Sequence, residues 1–327
     1  MTQDSKGAIL ITGGAGYIGS HAALALLERQ ERVVILDDYS AGPAPVILDG
    51  ARYVEGNVGD AALVKKLVKD EGIDSILHFA GFIRVDESMR EPQMYFMNNT
   101  ENTKILMNVA VEGGVKNVIF SSSAAVYGNP EKVPILEDVS LKSINPYGES
   151  KLRSEKIIRE LPLKSMILRY FNVAGADPKG RTGYRIEENP THLIRTALRK
   201  LIAGDVFHIN GRDYPTPDGT CIRDYIHVSD LAEAHIEALE YLRNGGKSQT
   251  MNCGYGHGYS VVEVVNAVMR ATNRKLTVEY GPRREGDPAA LVADVSRIKK
   301  TLAWKPQYDN LETIIRHEYE WVRAHTQ

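Results

Sequence analysis

A glycine-rich segment near the amino terminus constrains the fold of this 327-residue chain more than any other feature. It follows the short apolar run Ala8–Thr12 and precedes an alanine- and leucine-rich stretch at 20–29, so the predicted order is strand, loop, helix. Residues 13–19 read GGAGYIG, whose glycines satisfy the spacing G-x-G-x-x-G. Without Cβ atoms the loop can turn tightly, and a pyrophosphate can approach the N–H groups at the helix start. The segment therefore predicts a dinucleotide-binding site.

An acidic residue after the next apolar run indicates which dinucleotide is bound. The predicted strand at 32–36 is followed directly by Asp37, eighteen residues after Gly19. A carboxylate at this place accepts hydrogen bonds from the diol of the adenosine ribose and repels a 2′-phosphate. Asp38 follows, and no arginine does. We therefore expect NAD rather than NADP.

Strand and helix patterns alternate through the first half of the chain. Predicted strands at 51–55, 75–79 and 117–121 alternate with predicted helices at 60–71 and 94–113. This alternation predicts an α/β fold with a doubly wound parallel sheet, in which ligands lie beyond the carboxyl ends of the strands. Residues that follow or adjoin the predicted strand ends are therefore expected to line the cofactor: Asn57, Val58, Phe79, Ala80, Gly81, Arg84 and Ser121, with Asn98 and Asn99 on the helix that follows the fourth strand.

Composition excludes several other classes of protein. The formal net charge of −2 provides no basic field for nucleic acid, and the histidines show no spacing typical of metal ligands, so we assign no metal. Two cysteines, Cys221 and Cys253, are too few for a disulfide framework and favour a reducing compartment. The polar start leaves no room for a signal peptide, and no apolar run is long enough to span a membrane. We expect a cytoplasmic protein.

A tyrosine and a lysine four residues apart predict the chemistry. Tyr147 and Lys151 lie at the start of a predicted helix, where Pro146 follows a suitable cap, Asn145, so both side chains project from one face. Oxidation of a secondary alcohol by hydride removal requires a base for the hydroxyl proton. Tyr147 would be that base if a fixed ammonium lowers its pKa from about 10, Lys151 would also hold the nicotinamide ribose, and Ser123 would bind the alcohol oxygen. A buried aromatic beside a solvated lysine explains the pair alone, but not the pair with the glycine loop.

Together, the glycine loop and the Tyr-x-x-x-Lys pair resemble the extended branch of the short-chain dehydrogenase/reductase superfamily. The segments 120–128, 169–172, 213–220, 223–228 and 283–288 narrow the resemblance to the UDP-glucose 4-epimerase family, over nearly the whole chain. In that family NAD oxidises the sugar at C4, the 4-keto sugar turns over in the pocket, and hydride returns to its other face. The resemblance implies a Rossmann-type sheet with a smaller mixed α/β substrate domain.

The resemblance also assigns residues to the site. It implies that the catalytic residues are Ser123, Tyr147 and Lys151. Together with the glycine-loop and strand-end arguments above, it places around NAD Gly13, Gly14, Gly16, Tyr17, Ile18, Gly19, Asp37, Asn57, Val58, Phe79, Ala80, Gly81, Arg84, Asn98, Asn99, Ser121, Tyr147, Lys151 and Phe171. Around the UDP-hexose it places Ser123, Tyr147, Asn172, Leu193, Arg223, Arg284, Asp287 and Leu291, and His192, which precedes Leu193, is a further candidate. His192 either faces the nucleotide or only caps the helix that it opens.

The predicted domain boundary is discontinuous. We expect an NAD-binding domain at 1–175, joined by about 221–248, and a sugar-nucleotide-binding domain at 176–220 and 249–327. Apolar stripes on the helices that begin near Met94 and Pro146 form a dimer interface in this superfamily, so we expect a homodimer; burial within the monomer explains the same stripes.

Several readings stay open at this point. Leu291 lies where the pocket wall varies in the family, so UDP-N-acetylhexosamines, uronates and pentoses are alternatives to UDP-glucose and UDP-galactose. A dehydratase is disfavoured, because the dTDP-glucose dehydratases have a Thr-Asp-Glu sequence where this chain has Ser123-Ala124-Ala125. A non-catalytic NAD-binding regulatory protein would use the same fold, but retention of the serine, tyrosine and lysine argues against it.

Overall fold

A seven-stranded parallel sheet forms the centre of the computed structural model, which describes residues 7–40, 42, 46–185, 192–284 and 287–326. In chain order the strands are β1 Ala8–Thr12, β2 Val33–Asp37, β3 Arg52–Glu55, β4 Ile73–His78, β5 Asn117–Ser123, β6 Lys164–Tyr170, β7 Asn172–Ala174, β8 Phe207–Asn210, β9 Ile222–Arg223, β10 Tyr225–His227, β11 Gln249–Cys253, β12 Tyr259–Ser260, β13 Val278–Gly281 and β14 Ala290–Leu291. The order in the large sheet is β11-β6-β5-β4-β1-β2-β3. The predicted doubly wound parallel sheet is confirmed.

Helices cover both faces of this sheet. They are α1 Tyr17–Glu28, α2 Ala61–Glu71, α3 Val85–Arg90, α4 Pro92–Tyr95, α5 Asn102–Glu112, α6 Pro146–Glu160, α7 Leu193–Ala203, α8 Val228–Arg243, α9 Val261–Thr272, α10 Ser296–Thr301 and α11 Leu311–His325. A π-helical segment, Phe96–Glu101, joins α4 to α5, and a 3-10 turn, Ala124–Tyr127, follows β5.

Two hydrophobic cores explain why residues 8–11 of β1 form a continuous apolar run. Ile9 and Ile11 belong to the core that contains Leu26 of α1, whereas Leu10 belongs to the core with Leu106 of α5. Successive side chains of a strand point to opposite faces, and a parallel sheet covered on both faces therefore needs a continuous apolar run.

The predicted helix at 94–113 is interrupted. Its first half contains the π-helical segment, where the carbonyl of Asn99 accepts hydrogen bonds from Oγ1 of Thr103 and Oγ of Ser154, both at 2.7 Å. These side chains compete with the regular backbone ladder, which is an established cause of such local widening.

The remaining elements form a smaller mixed α/β region. β8 pairs with β13, β9 pairs with β12 and β14, and α7, α9 and α11 pack together through Leu198, Val264 and Ile315. One placement in this region was wrong. Gln249–Cys253 was expected in the smaller domain, but it is the edge strand β11 of the large sheet and pairs with β6, Met251 opposite Leu168. The pairing partner lies about eighty residues away, so local sequence could not reveal it. The two-domain division stays a proposal, with β11 reassigned.

Candidate active site

A cavity of about 1030 Å³ lies at the carboxyl ends of the parallel strands. Its lining combines the loops after β1, β2, β3 and β4, the ends of β5 and β6, and the first turns of α6. The predicted site residues that line it are Gly13, Gly16, Tyr17, Ile18, Gly19, Asp37, Asn57, Val58, Phe79, Ala80, Gly81, Arg84, Asn98, Ser121, Ser123, Tyr147, Lys151, Phe171, Asn172, His192, Arg223, Asp287 and Leu291. The fold therefore brings together side chains that are distant in sequence, as expected for a doubly wound sheet.

The glycine loop is shaped to hold an anion. A Cβ on Gly19 would lie 2.3 Å from the carbonyl oxygen of Gly13, and a Cβ on Gly13 would lie 2.6 Å from the backbone nitrogen of Ala80. Among the described residues, no side chain caps α1 at Gly16, and its first turn contains no acid. The N–H groups at this helix start are thus left for a ligand, with the positive end of the helix dipole behind them. These features fit the pyrophosphate of a dinucleotide.

The carboxylate at the end of β2 is held in place by the backbone. Oδ2 of Asp37 accepts a hydrogen bond from the N–H of Ala15, and Oδ1 accepts one from the N–H of Tyr39, both at 3.0 Å. Burial raises the pKa of Asp37, and these two hydrogen bonds oppose the rise. Asn57 donates from Nδ2 to Asp38 at 2.7 Å, so the amide and the second acid form one polar wall.

Ser123, Tyr147 and Lys151 meet at the floor of the cavity. Asn145 caps α6 through a 2.8 Å hydrogen bond from the N–H of Gly148, which confirms the predicted helix start. Nζ of Lys151 donates to the carbonyl of Ser121 at 2.9 Å and lies 5.1 Å from the centroid of the Phe120 ring. Tyr147 and Lys151 are 8% and 3% exposed, so both functional groups are largely removed from water.

Burial dominates the ionisation of this pair. Burial lowers the pKa of Lys151 to about 8, while the charge of Glu155 raises it. Burial also raises the pKa of Tyr147, and a side-chain hydrogen bond with Ser123 lowers it by less. The direction for Tyr147 is opposite to the one expected from the sequence, because desolvation by burial prevails.

A second cluster lies on the opposite side of the cavity. Arg223, 8% exposed, donates from Nη2 to Oδ1 of Asp287 at 2.6 Å. Leu291 on β14 stands in register with Arg223 on β9, so the aliphatic wall adjoins the ion pair. The neighbouring Asp224 accepts hydrogen bonds from three backbone N–H groups, of Tyr255, Gly256 and Ala293.

His192 faces the cavity and makes no side-chain cap for α7. Burial, with the nearby charge of Arg195, lowers its pKa to about 4. The imidazole is therefore neutral at physiological pH, and it can supply hydrogen bonds but no positive charge.

Four predicted site residues do not line the cavity. Gly14 packs against β2, where a Cβ would lie 2.8 Å from Cγ2 of Ile35. Asn99 is 2% exposed and bonds the backbone of Phe82 and the hydroxyl of Ser150, so it supports the wall from behind. Leu193 borders a separate small cavity. The guanidinium of Arg284 donates two hydrogen bonds, of 2.9 and 3.2 Å, to the side-chain amide oxygen of Asn210.

The structure adds residues that the sequence did not single out. Asp38, Tyr170, Tyr184 and Arg185 line the cavity. The hydroxyl of Tyr170 bonds that of Ser121. Tyr184 and Arg185 belong to the polar stretch at 181–189, of which residues 186–189 lie outside the described part of the chain. The strand-end position of Tyr170, next to Phe171, was the one available signal.

The described residues show neither a metal-binding cluster nor a membrane-spanning helix. They contain no cluster of three or more His, Cys, Asp or Glu side chains arranged to bind a metal. Nor do they include a helix long and apolar enough to cross a membrane.

Comparison with known proteins agrees with this geometry. Residues 9–254 match the NAD dependent epimerase/dehydratase family. A UDP-glucose 4-epimerase from Azospirillum brasilense is 48% identical over 321 residues, which are 97% of this chain and 92% of the relative. The chain belongs to the NAD dependent epimerase/dehydratase family.

Solved structures show the same fold. A UDP-glucose-4-epimerase from Stenotrophomonas maltophila, with bound NAD and formylated UDP-arabinopyranose, superposes with a TM-score of 0.94 at 36% identity and 98% coverage of both chains. The UDP-Glc/GlcNAc 4-epimerase of Campylobacter jejuni gives a TM-score of 0.83 at 42% identity, covering 98% of this chain and 100% of that one. The Rossmann-type fold is thus shown by the sheet topology and by these likenesses together.

Proposed function

We propose that this protein interconverts UDP-glucose and UDP-galactose by transient oxidation at C4 of the hexose. The proposal depends on one observation. Ser123, Tyr147 and Lys151 line the same cavity as the glycine loop, and the helix that follows this loop has no side-chain cap. The 48% identity to the Azospirillum UDP-glucose 4-epimerase supports the choice of substrate.

The chain's own residues manage the proton. Tyr147 Oη takes the proton of the C4 hydroxyl as the C4–H bond breaks, and it returns the proton when the C4–H bond re-forms on the opposite face. Ser123 hydrogen-bonds the same oxygen and orients it toward the phenol. The glycine loop, Asp37 and Lys151 would hold NAD, which would supply the hydride acceptor for C4 and a positive charge that favours the phenolate of Tyr147. The net reaction consumes no redox equivalent.

Lys151 supplies a cation to the site below about pH 8. Its ammonium, fixed by the Ser121 carbonyl, favours the phenolate form of Tyr147 against the effect of burial and holds the nicotinamide ribose. We assign the glycine loop to the pyrophosphate, Asp37 to the adenosine ribose, and the Asn57 wall to the adenine end.

The opposite cluster is assigned to the sugar nucleotide. Arg223 offers a planar guanidinium for a diphosphate oxygen, while Asp287 holds its orientation and screens part of its charge. Asn172 and His192 supply neutral hydrogen bonds, and Leu291 limits the space beside the hexose. Arg284 reaches Asn210 in the structure, so its predicted substrate contact requires a change in its side-chain conformation.

A wider substrate range is the second candidate. The Campylobacter relative is named for both UDP-Glc and UDP-GlcNAc, and the Stenotrophomonas structure holds a pentose derivative. Leu291 lines the cavity and occupies the wall position that varies in the family, so it is compatible with either sugar.

We further propose that the protein is a cytoplasmic homodimer. Two free, buried cysteines suit a reducing compartment. Five exposed apolar side chains between residues 83 and 97, in α3, α4, the π-helical segment and the residues before α3, support an interface: Ile83, Val85, Met89, Met94 and Met97. We call this set the apolar patch. Single exposed apolar residues are common, but several within fifteen residues indicate a contact surface.

The test is an incubation of the purified protein with UDP-galactose and, separately, with UDP-N-acetylgalactosamine, followed by separation of the C4 epimers. We expect conversion of UDP-galactose, and conversion of both sugars would show a permissive Leu291 wall. Tyr147→Phe should lower kcat by roughly 100- to 10,000-fold. The remote control Tyr241→Phe, whose hydroxyl bonds Gln249, should retain kcat. No conversion by the wild-type protein with added NAD would overturn the proposal.

A further inference from the structure

Two buried charged side chains lie directly behind the catalytic face of α6 and have no part in the chemistry above. Glu155 on α6 is fully buried, and Arg169 on β6 is 2% exposed. Nε of Arg169 donates to Oε1 of Glu155 at 2.8 Å, and Nη2 donates to Oε2 at 2.7 Å. This bidentate pairing fixes the mutual orientation of a helix and a strand more tightly than a single contact does.

The ion pair completes a register between α6 and the end of β5. Glu155 follows Lys151 by four residues and Tyr147 by eight, so all three share one face of the helix. The three consecutive serines at 121–123 lie along this face of α6. The first accepts from Lys151 through its carbonyl at 2.9 Å, the second donates from Oγ to Glu155 at 2.5 Å, and the third lies next to the phenol of Tyr147, whose pKa it lowers.

Arg169 also holds the other flank of Ser123. Its Nη1 donates to the hydroxyl of Tyr127 at 3.1 Å and to the carbonyl of Glu137 at 3.0 Å. Tyr127 ends the 3-10 turn that begins immediately after Ser123. One guanidinium therefore connects the helix of Tyr147 with the turn that places the serine.

Stability alone does not account for such a pair. A buried ion pair loses the hydration of both charges, and an apolar pair of similar volume is often equally or more stabilising. An apolar pair could not fix the relative orientation of α6 and β6 in the same way, because apolar side chains make no directed hydrogen bonds.

We propose that Glu155 and Arg169 are positioning residues, which set the register of Tyr147 and Lys151 against Ser123 for the oxidation step. This inference rests on the proposed function. Glu155 acts on Lys151 through its charge as well, because the anion favours the ammonium form that burial disfavours. The titratable groups on the elements around Lys151 are Tyr147 and Glu155 on α6, His78 on β4, Tyr95 on α4 and Tyr170 on β6.

The test compares Glu155→Gln and Arg169→Lys with the control Arg159→Ala. Arg159 is the exposed partner of Glu155, with 41% of its side chain accessible and a 2.6 Å contact, so the control removes a neighbour without entering the buried pair. We expect kcat to fall on the order of 10- to 100-fold in the first two variants, with little change in KM, and to stay near wild type in the control. In Glu155→Gln the alkaline limb of the kcat–pH profile should move to lower pH, because Lys151 loses its anion. A merely structural role would not move that limb.

A paired variant keeps the inference testable if an unpaired buried charge prevents folding. Glu155→Gln/Arg169→Met removes both charges at similar volume and should melt near the wild-type temperature while kcat stays low. Recovery of both melting temperature and kcat would overturn the inference, as would an unchanged kcat and alkaline limb in a folded Glu155→Gln. Wild-type protein measured in parallel separates the two proposals. If the wild-type protein shows no turnover, the proposed epimerase function is overturned, whereas a wild-type level of turnover in the folded Glu155→Gln variant overturns only the positioning role of Glu155 and Arg169.

Discussion

Nζ of Lys151 donates a 2.9 Å hydrogen bond to the carbonyl oxygen of Ser121, two residues before the serine of the active site. The bond connects α6, which carries the proposed base Tyr147, to β5, which carries Ser123. It also leaves a buried ammonium as the fixed cation of the cavity, with a pKa that burial lowers to about 8.

This pKa predicts an alkaline limit for catalysis. The ammonium is charged below pH 8 and loses its proton as the pH rises through that value, so kcat of the wild-type protein should fall above about pH 8. Lys151→Arg keeps the charge at all accessible pH values. Its kcat will be lower, because the guanidinium has a different shape, but the alkaline fall should be absent. The same fall in both proteins would assign it to another group.

Replacement of Asp37 should weaken retention of NAD. In Asp37→Ala the N–H groups of Ala15 and Tyr39 lose their acceptor, and the ribose diol loses its carboxylate. We expect a loss of about 1–3 kcal/mol, or on the order of 10- to 100-fold in cofactor affinity. Cofactor content after gel filtration and titration with NAD measure the effect.

Asp60→Ala is the matched control for this experiment. Asp60 caps α2 by accepting from the N–H groups of Ala62 and Leu63, and it does not line the cavity. Its loss should lower stability by about 1 kcal/mol without changing NAD content. Equal NAD content in the two variants would remove Asp37 from the proposed ribose contact.

The apolar patch should be buried in a homodimer. Met97 is 60% exposed in the single chain, so Met97→Glu should place an unpaired charge in the interface and shift the mass measured by light scattering toward the monomer. Val133 is 45% exposed but lies outside the patch, and Val133→Glu should leave the mass unchanged. A monomeric wild-type protein, or equal masses for wild type and Met97→Glu, would contradict the interface. Ile83 and Val85 of the patch also line the cavity, so dissociation should lower activity.

Local sequence signals predicted the elements that depend on neighbours in the chain. The glycine loop, the Asn145 cap and the apolar run of β1 each have a physical cause within a few residues, and each was predicted correctly. The failures depend on distant contacts. The edge position of β11 depends on pairing with β6, and the π-helical segment depends on Ser154 reaching the Asn99 carbonyl.

The candidate site shows the same division. Strand-end positions identified most of the lining, because carboxyl ends of parallel strands meet at one edge of the sheet. Arg169 was part of a recognised motif, yet its pairing with Glu155 could not be read from spacing, since it joins a helix to a strand across the core. The rise in the pKa of Tyr147 likewise depends on burial, which the sequence does not give.

The fate of the hydrogen at sugar C4 tests the central claim most directly. Purified protein is incubated with UDP-galactose that carries deuterium at C4, and the epimeric product is analysed by mass spectrometry and NMR. If the hydride leaves and returns within the cavity while Tyr147 moves only the hydroxyl proton, the UDP-glucose formed should retain deuterium at C4. Product that carries hydrogen from solvent at C4 would contradict hydride return and, with it, the assigned role of Tyr147.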